Sequence, residues 1–339
     1  MKIYTTVPVE NPLDGGRLFR HLEDIGYDGA FSYETKHDPF LPLVAAAEQT
    51  QTLRLGTAIA IAFARNPMNL ANIGYDLQVA SRGRFILGLG SQIRPHIQNR
   101  YSSVWSKPAK RMREMVLAIR TIWDAWEGNS KLSFDGEFYR HTLMTPAFDP
   151  GPNPFGQAKI HLAGVQPLMI EVAGEVADGF IAHPFATTKS LAEHILPALE
   201  RGRAKSSRRR EDFEIVCVKL VATGDNDDEI RHNREVVRKQ LAFYGSTPAY
   251  KPTLDCHGWG GLQPELNALS KQGKWDKMAG LISDEILDAI AISGTREQIA
   301  PLIMESLGDM ADGVSIENTR NPDARHFEDI VASFKGLYR

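Results

Sequence analysis

Cysteine is nearly absent: Cys217 and Cys256 are the two in 339 residues, too few for a disulfide framework and not arranged as CxxC. No His-x-His pair or cysteine cluster offers a metal set of the kind metal-dependent barrel hydrolases use. No sign of charge dominates: 39 Lys+Arg against 42 Asp+Glu leave −3, which gives no reason to expect nucleic acid or an anionic membrane as partner. The basic run Arg201, Arg203, Lys205, Arg208, Arg209 and Arg210, placed after a helix, reads as a solvated loop. Long hydrophobic runs are missing as well. The most apolar stretch, Ala58 to Ala64, is far below the roughly 20 residues of a membrane helix. The opening Met1–Val7 reads as a strand without signal-peptide anatomy, so the expectation is a soluble, reduced, cytoplasmic protein.

What is present is a core-forming composition, 42% hydrophobic and 24% charged, distributed in alternating periodicities. Strand patterns fall near 1–7, 28–33, 53–59, 84–89, 159–163, 178–182, 213–221 and 312–317. Helical patterns lie between them. In the clearest, over 110–126, Met112, Met115, Val116, Ile119, Ile122, Trp123 and Trp126 share one face. Three times a helical segment ends in Asp-Gly before a strand, at Asp28-Gly29, Asp178-Gly179 and Asp312-Gly313. This fits a tight turn in which Gly takes a positive φ. Eight strands with intervening helices predict an α/β fold, a closed (β/α)8 TIM barrel, as one domain over 1–339. Residues 128–157 and 245–280, rich in Gly and Pro, read as insertions at the active-site rim, the first with a short strand pair.

Several runs then carry a resemblance. Ser81-Arg82-Gly83-Arg84-Phe85-Ile86-Leu87-Gly88-Leu89-Gly90-Ser91 resembles a signature of the luciferase-like monooxygenase superfamily. It stands after Leu55-Gly56-Thr57-Ala58-Ile59 and Arg65-Asn66-Pro67, and before Phe134-Asp135-Gly136-Glu137 and Ala173-Gly174-Glu175-Val176-Ala177-Asp178-Gly179. Glu34-Thr35-Lys36-His37-Asp38-Pro39-Phe40-Leu41-Pro42-Leu43 is similar to the branch that uses the deazaflavin coenzyme F420. The resemblance implies a bacterial luciferase-like barrel, often a homodimer, with a flavin or deazaflavin at the carboxyl-end mouth of the strands. It also implies a non-prolyl cis peptide at Ala58–Ile59, supporting the cofactor ring from behind.

Candidate residues sit at strand ends. Glu34 and His37 follow the second strand; His37 could exchange a proton with substrate while Glu34 orients it or touches the cofactor, the alternative being a charged surface loop. Gly90, Ser91 and Gln92 end the fourth strand and allow close cofactor approach, but Ile93 breaks any G-x-G-x-x-G fingerprint. Arg94 and His96 on the same loop are possible substrate contacts. Gly164, Val165 and Gln166 precede Pro167, which suits a first helical turn and leaves an anion site for a cofactor phosphate. His183 is either a cofactor contact or a rim histidine, and Arg320, after the eighth strand, could meet an anion. The leading expectation is hydride transfer between F420 and an organic substrate; the alternatives are an FMN-dependent monooxygenase and a non-catalytic cofactor-binding barrel.

Overall fold

The structure, a computed structural model, describes residues 1–317 and 325–336. Eight parallel strands form a closed ring: β1 (Lys2–Val7), β2 (Gly29–Ser32), β3 (Arg54–Thr57), β4 (Phe85–Gly90), β5 (Lys159–Ala163), β6 (Gly179–Ala182), β7 (Glu214–Gly224) and β8 (Gly313–Glu317). Each pairs with its sequence neighbour, and β8 closes on β1 through pairs such as Lys2↔Gly313 and Thr6↔Glu317. This is the TIM barrel the strand count predicts. Helices cover its outside, and the Met112-to-Trp126 stripe of the helix Pro108–Trp126 is buried against the barrel as its periodicity requires. No helix among the described residues is long and apolar enough to cross a membrane.

The Asp-Gly motifs do something more specific than turn. Asp28, Asp178 and Asp312 each precede an even strand, and each clamps the odd strand beside it. The backbone N–H of Ile3, Ile160 and Ile215 donates to the respective carboxylate at 2.8, 2.8 and 2.7 Å. The aspartate's own N–H donates back to the same isoleucine's carbonyl. Glycine follows for a different reason from the one expected: none of Gly29, Gly179 and Gly313 has a positive φ. They face the amino end of the barrel interior, where the odd strands supply the bulky layer Tyr4, Arg54, His161 and Glu214. A Cβ on Gly179 would stand 2.6 Å from both His161 Nε2 and the Glu214 carbonyl oxygen.

The basic run is also corrected. Arg201, Arg203 and Lys205 lie within the helix Leu196–Ser206, and Lys205 pairs with Glu171. Arg208 and Arg210 reach Asp178 and Asp312 at 3.2 and 2.9 Å, so part of the run braces the strand clamps instead of forming a solvated loop. Cys217 is buried in the core, as its strand pattern implies.

The two expected insertions take different forms. Residues 128–157 carry the antiparallel pair Phe134–Asp135 and Arg140–His141. Around 245–280 the chain builds short helices that join the helix Asp227–Gly245 in a second apolar cluster, including Leu241, Leu254, Leu266 and Leu287. This cluster packs on the outer half of β7, which runs past the ring and pairs there with Ile292–Thr295.

At the amino end of the ring, Glu214 accepts from Tyr4 Oη at 2.7 Å and from Arg54 Nη1 at 2.8 Å. Burial alone would raise its pKa, but Arg54, ahead of His161, Tyr4 and Lys2, holds it down to about 2. Burial pushes neighbouring His161 down to about 4, so it is neutral at pH 7. Two outcomes are expected. Gly179→Ala should lose about 1–3 kcal/mol by overpacking this layer, read from denaturant midpoints. A carboxylate with a lowered folded pKa adds stability above the ordinary carboxylate range, and that stability is lost as pH falls from about 4.5 toward 2. Glu214→Gln should therefore flatten the stability–pH curve in that window; an unchanged slope contradicts the assignment.

Candidate functional site

All eight strands deliver residues from their carboxyl-end halves, or just beyond, to one cavity of about 970 Å³ with largely apolar walls. The contributors include Thr6 from β1, Tyr33 and Glu34 after β2, Ala58 and Ile59 after β3, and Gly90 and Ser91 from the end of β4. Ala163 and Gly164 come from β5, His183 from β6, Val218 from β7 and Glu317 from β8. The mouth is therefore open, not plugged by side chains.

The wall at β3 is built by a change of register. Gly56 pairs with Ile86, but Ala60 pairs with Leu89, so the β3 side carries one extra residue over this stretch. Thr57 Oγ1 fills the gap, accepting from Gly88 N–H at 3.0 Å and donating to the Gly88 carbonyl at 2.6 Å. The Ala58–Ile59 peptide is cis, at the position the resemblance implies. Next to it Gly90 leaves room: a Cβ there would sit 2.9 Å from the Ile59 side chain. The result is an apolar wall of backbone, the Ala58 methyl and the Ile59 side chain, which occupies the space Gly90 leaves.

Glu34 fixes this wall. Its Oε2 accepts from Arg65 Nη1 at 2.6 Å and from Ile61 N–H at 2.7 Å, while Oε1 accepts from Tyr101 Oη at 2.9 Å. Its own N–H donates to the Ile59 carbonyl at 3.1 Å. Both carboxylate oxygens are thus engaged, and the side chain positions the strand end behind the cavity. His37 does not join it. The loop turns that imidazole outward, exposed and 3.3 Å from Glu10 Oε2, and it is not part of the cavity wall. The expectation of His37 as the proton-exchanging residue is corrected on this geometry.

On the β4 loop Ser91 and Gln92 line the cavity, Gln92 with φ 59°, and Arg94 joins them at the exposed rim with its Nε on Gln98. His96 is exposed and outside the wall. At β5 the helix Pro167–Val176 begins with Pro167 at its first turn and has no side-chain cap; the Met169 N–H donates to the Gln166 carbonyl at 2.9 Å and proline has no N–H, so in the first turn the Leu168 N–H is left to a ligand or solvent. Gly164, Val165 and Gln166 approach it along the cavity, with Gln166 Nε2 donating to the Ala249 carbonyl at 2.7 Å. A Cβ on Gly164 would lie 2.6 Å from Met169 Cγ. Arg320 lies outside the described residues.

His183 is half-buried in the opposite wall. Its ring stacks on Tyr250 with centroids 4.3 Å apart and meets Tyr244 edge-on at 4.9 Å. Nδ1 accepts from Phe185 N–H at 3.1 Å. Burial pushes its pKa down to about 3, so the ring is neutral at physiological pH. Tyr244, in the last turn of the helix Asp227–Gly245, and Tyr250, in the insertion, were not singled out from sequence, because an aromatic at helical spacing looks like core. Lys107 and Lys110, also missed, reach the rim and share Glu137. Among the described residues no group of three or more His, Cys, Asp or Glu could hold a metal.

Known proteins resemble the chain at three levels. The family model described as luciferase-like monooxygenase matches residues 4–311. An uncharacterized protein of Mycobacterium tuberculosis is 52% identical over 293 residues, 86% of each chain. The 5,10-methylenetetrahydromethanopterin reductase of Archaeoglobus fulgidus is 28% identical, covering 84% of this chain and 82% of its own. In three dimensions the coenzyme F420-dependent tetrahydromethanopterin reductase of Methanopyrus kandleri superposes with a TM-score of 0.81 at 18% identity, over 100% of this chain and 99% of that one.

Glu34 and Asp38 both bind Arg65, but Glu34 is buried and Asp38 is exposed. Glu34→Gln should cost about 3–5 kcal/mol, the range for breaking a buried pair. Asp38→Asn should cost no more than about 1 kcal/mol. Denaturant unfolding of the two variants measures the difference, and equal losses would contradict the positioning role.

Proposed function

Because the chain belongs to the luciferase-like monooxygenase family, we propose that it is an oxidoreductase moving a hydride between the deazaflavin coenzyme F420 and an organic substrate. One observation carries the reading: an apolar wall of backbone, Ala58 and Ile59 beside Gly90 shares a largely apolar cavity with an uncapped helix N-terminus at Pro167. A flat ring needs the first, and a phosphate tethered to that ring needs the second. The relatives named as F420-dependent or methylenetetrahydromethanopterin reductases support this coenzyme over FMN.

When bound, the deazaflavin supplies a two-electron hydride donor or acceptor that reacts poorly with oxygen. The chain's own residues do the rest. Ala58, Ile59 and Gly90 would back the ring, with Ser91 and Gln92 offering polar groups at its edge. Gly164, Val165 and Gln166 would lead to the phosphate, held by backbone N–H groups and the helix dipole. Glu34, through Arg65, Tyr101 and Ile61, keeps the wall from shifting. Trp105 at the rim, packed edge-on to Phe63 at 5.7 Å, helps to exclude water from the reacting face.

The reading is tested by titrating the protein separately with F420 and FMN and following fluorescence. Saturable F420 binding with weaker FMN binding is expected; tight FMN binding without F420 binding would favour the monooxygenase. Gly164→Val, which fills the approach to the helix N-terminus, should weaken coenzyme binding by about tenfold or more, equivalent to about 1.4 kcal/mol. Unchanged affinity in a folded variant would remove the phosphate from that position.

A further inference from the structure

We infer that His183 is a hydrogen-bond donor, through Nε2–H, to the oxygen of a flat, apolar carbonyl or alcohol substrate seated between the β3 wall and the aromatic pair Tyr244 and Tyr250. The inference rests on the hydride-transfer reading and adds to it the substrate class and the residue that recognises it.

Strand order supplies the placement. β6 and β7 stand across the ring from β3, so His183 and its aromatic neighbours face the wall of Ala58 and Ile59 from the other side of the cavity. A planar coenzyme against the β3 wall would leave its free face toward them. That side presents Tyr244, Tyr250 and Val218, a surface suited to a flat apolar molecule. Within it one imidazole is fixed in orientation by Tyr250 beneath, Tyr244 at its edge and the Phe185 N–H on Nδ1.

That last bond sets the tautomer. An Nδ1 that accepts carries no proton, so the neutral ring bears its hydrogen on Nε2. Nε2 has no hydrogen-bond partner among the described residues. Burial is the sole cause that lowers the pKa of His183, and it keeps the ring uncharged. The titratable groups packed beside it are the phenols of Tyr244 and Tyr250, both pushed upward by burial and so neutral as well. A neutral imidazole is a poor acid, but as a hydrogen-bond donor it stabilises oxygen as negative charge develops there.

The chemistry balances without proton loss from His183. In the reducing direction the carbonyl carbon would take up a hydride, two electrons and one proton, which a reduced deazaflavin would supply. The C–H bond forms, the C=O π pair moves to oxygen, and Nε2–H holds the developing alkoxide. A proton from solvent then completes the alcohol. Oxidation of the alcohol is the reverse, with the oxidised coenzyme as hydride acceptor.

The test uses the full chain with oxidised F420 bound and acetophenone as probe, with ethylbenzene as its counterpart lacking the oxygen. The oxidised coenzyme cannot reduce the ketone, so binding is read without turnover. Nitrogen-15 NMR of labelled histidine should show His183 as the neutral Nε2–H tautomer from pH 5 to 8, with its Nε2 signal shifting on acetophenone binding and not on ethylbenzene binding. Acetophenone should bind roughly tenfold tighter than ethylbenzene, the value of one hydrogen bond. His183→Phe should abolish that preference while keeping a ring in the wall, and His183→Gln, which retains an N–H donor, should restore part of it. An imidazolium or Nδ1–H signature overturns the inference. So does absent binding of acetophenone, or a ketone preference that survives His183→Phe. Failure of F420 itself to bind, read separately by fluorescence, would instead count against the coenzyme assignment.

Discussion

Closure of the strand ring is the constraint on which everything else depends. β1 pairs with β2 on one side and β8 on the other, so the carboxyl ends of all eight strands are brought to one mouth. No strand edge is left to be covered within the ring, and the inward-facing side chains at that end line one cavity. Closure in turn depends on the amino end. There Asp28, Asp178 and Asp312 each clip the preceding odd strand, and glycines on the even strands make room for Tyr4, Arg54, His161 and Glu214. The strand clamps and the ionic layer inside the ring sit at the amino end, while a mostly apolar space opens at the carboxyl end, braced by the Glu34–Arg65 pair.

That division explains how the chain keeps a large cavity without losing its fold. A cavity costs packing energy when the surrounding layers must support it. Here the layers beneath are filled by Phe31, Ile86 and Val216, with Phe31 stacked on Tyr4 at 5.2 Å. Above them, Glu34 ties the end of β3 to Arg65 and Tyr101. The helix Asp227–Gly245 and the insertion after it hold Tyr244 and Tyr250 by packing on the extended half of β7, outside the ring. The opposing walls therefore rest on separate supports.

Much of the fold was legible because a barrel strand is buried on both faces and must be written as a short apolar run. The runs at 84–89 and 159–163 could hardly be anything else, and the Pro67 and Pro167 helices start where proline at the first turn places them. Position at a strand end was enough to bring Gly90, Ser91, Gln92, Gly164 and His183 to the cavity. The same logic misplaced His37, since a loop can turn a side chain either way and the outcome depends on Glu10, a partner 27 positions earlier. The role of the Asp-Gly glycines was hidden because the side chains they avoid come from other strands. Tyr244 and Tyr250 gave no signal, as nothing local distinguishes an aromatic facing a cavity from one facing core. Arg208 and Arg210 looked like a solvated charge run because the aspartates they bind lie 30 and 102 residues away.

The account is tested most directly by a crystal structure of the chain soaked with F420. It predicts the deazaflavin ring against Ala58, Ile59 and Gly90, its phosphate at the N-terminus of the helix that begins at Pro167, and an open face turned toward His183, Tyr244 and Tyr250. A ring bound against the β6–β7 wall, or a coenzyme found outside the carboxyl-end cavity, would contradict it.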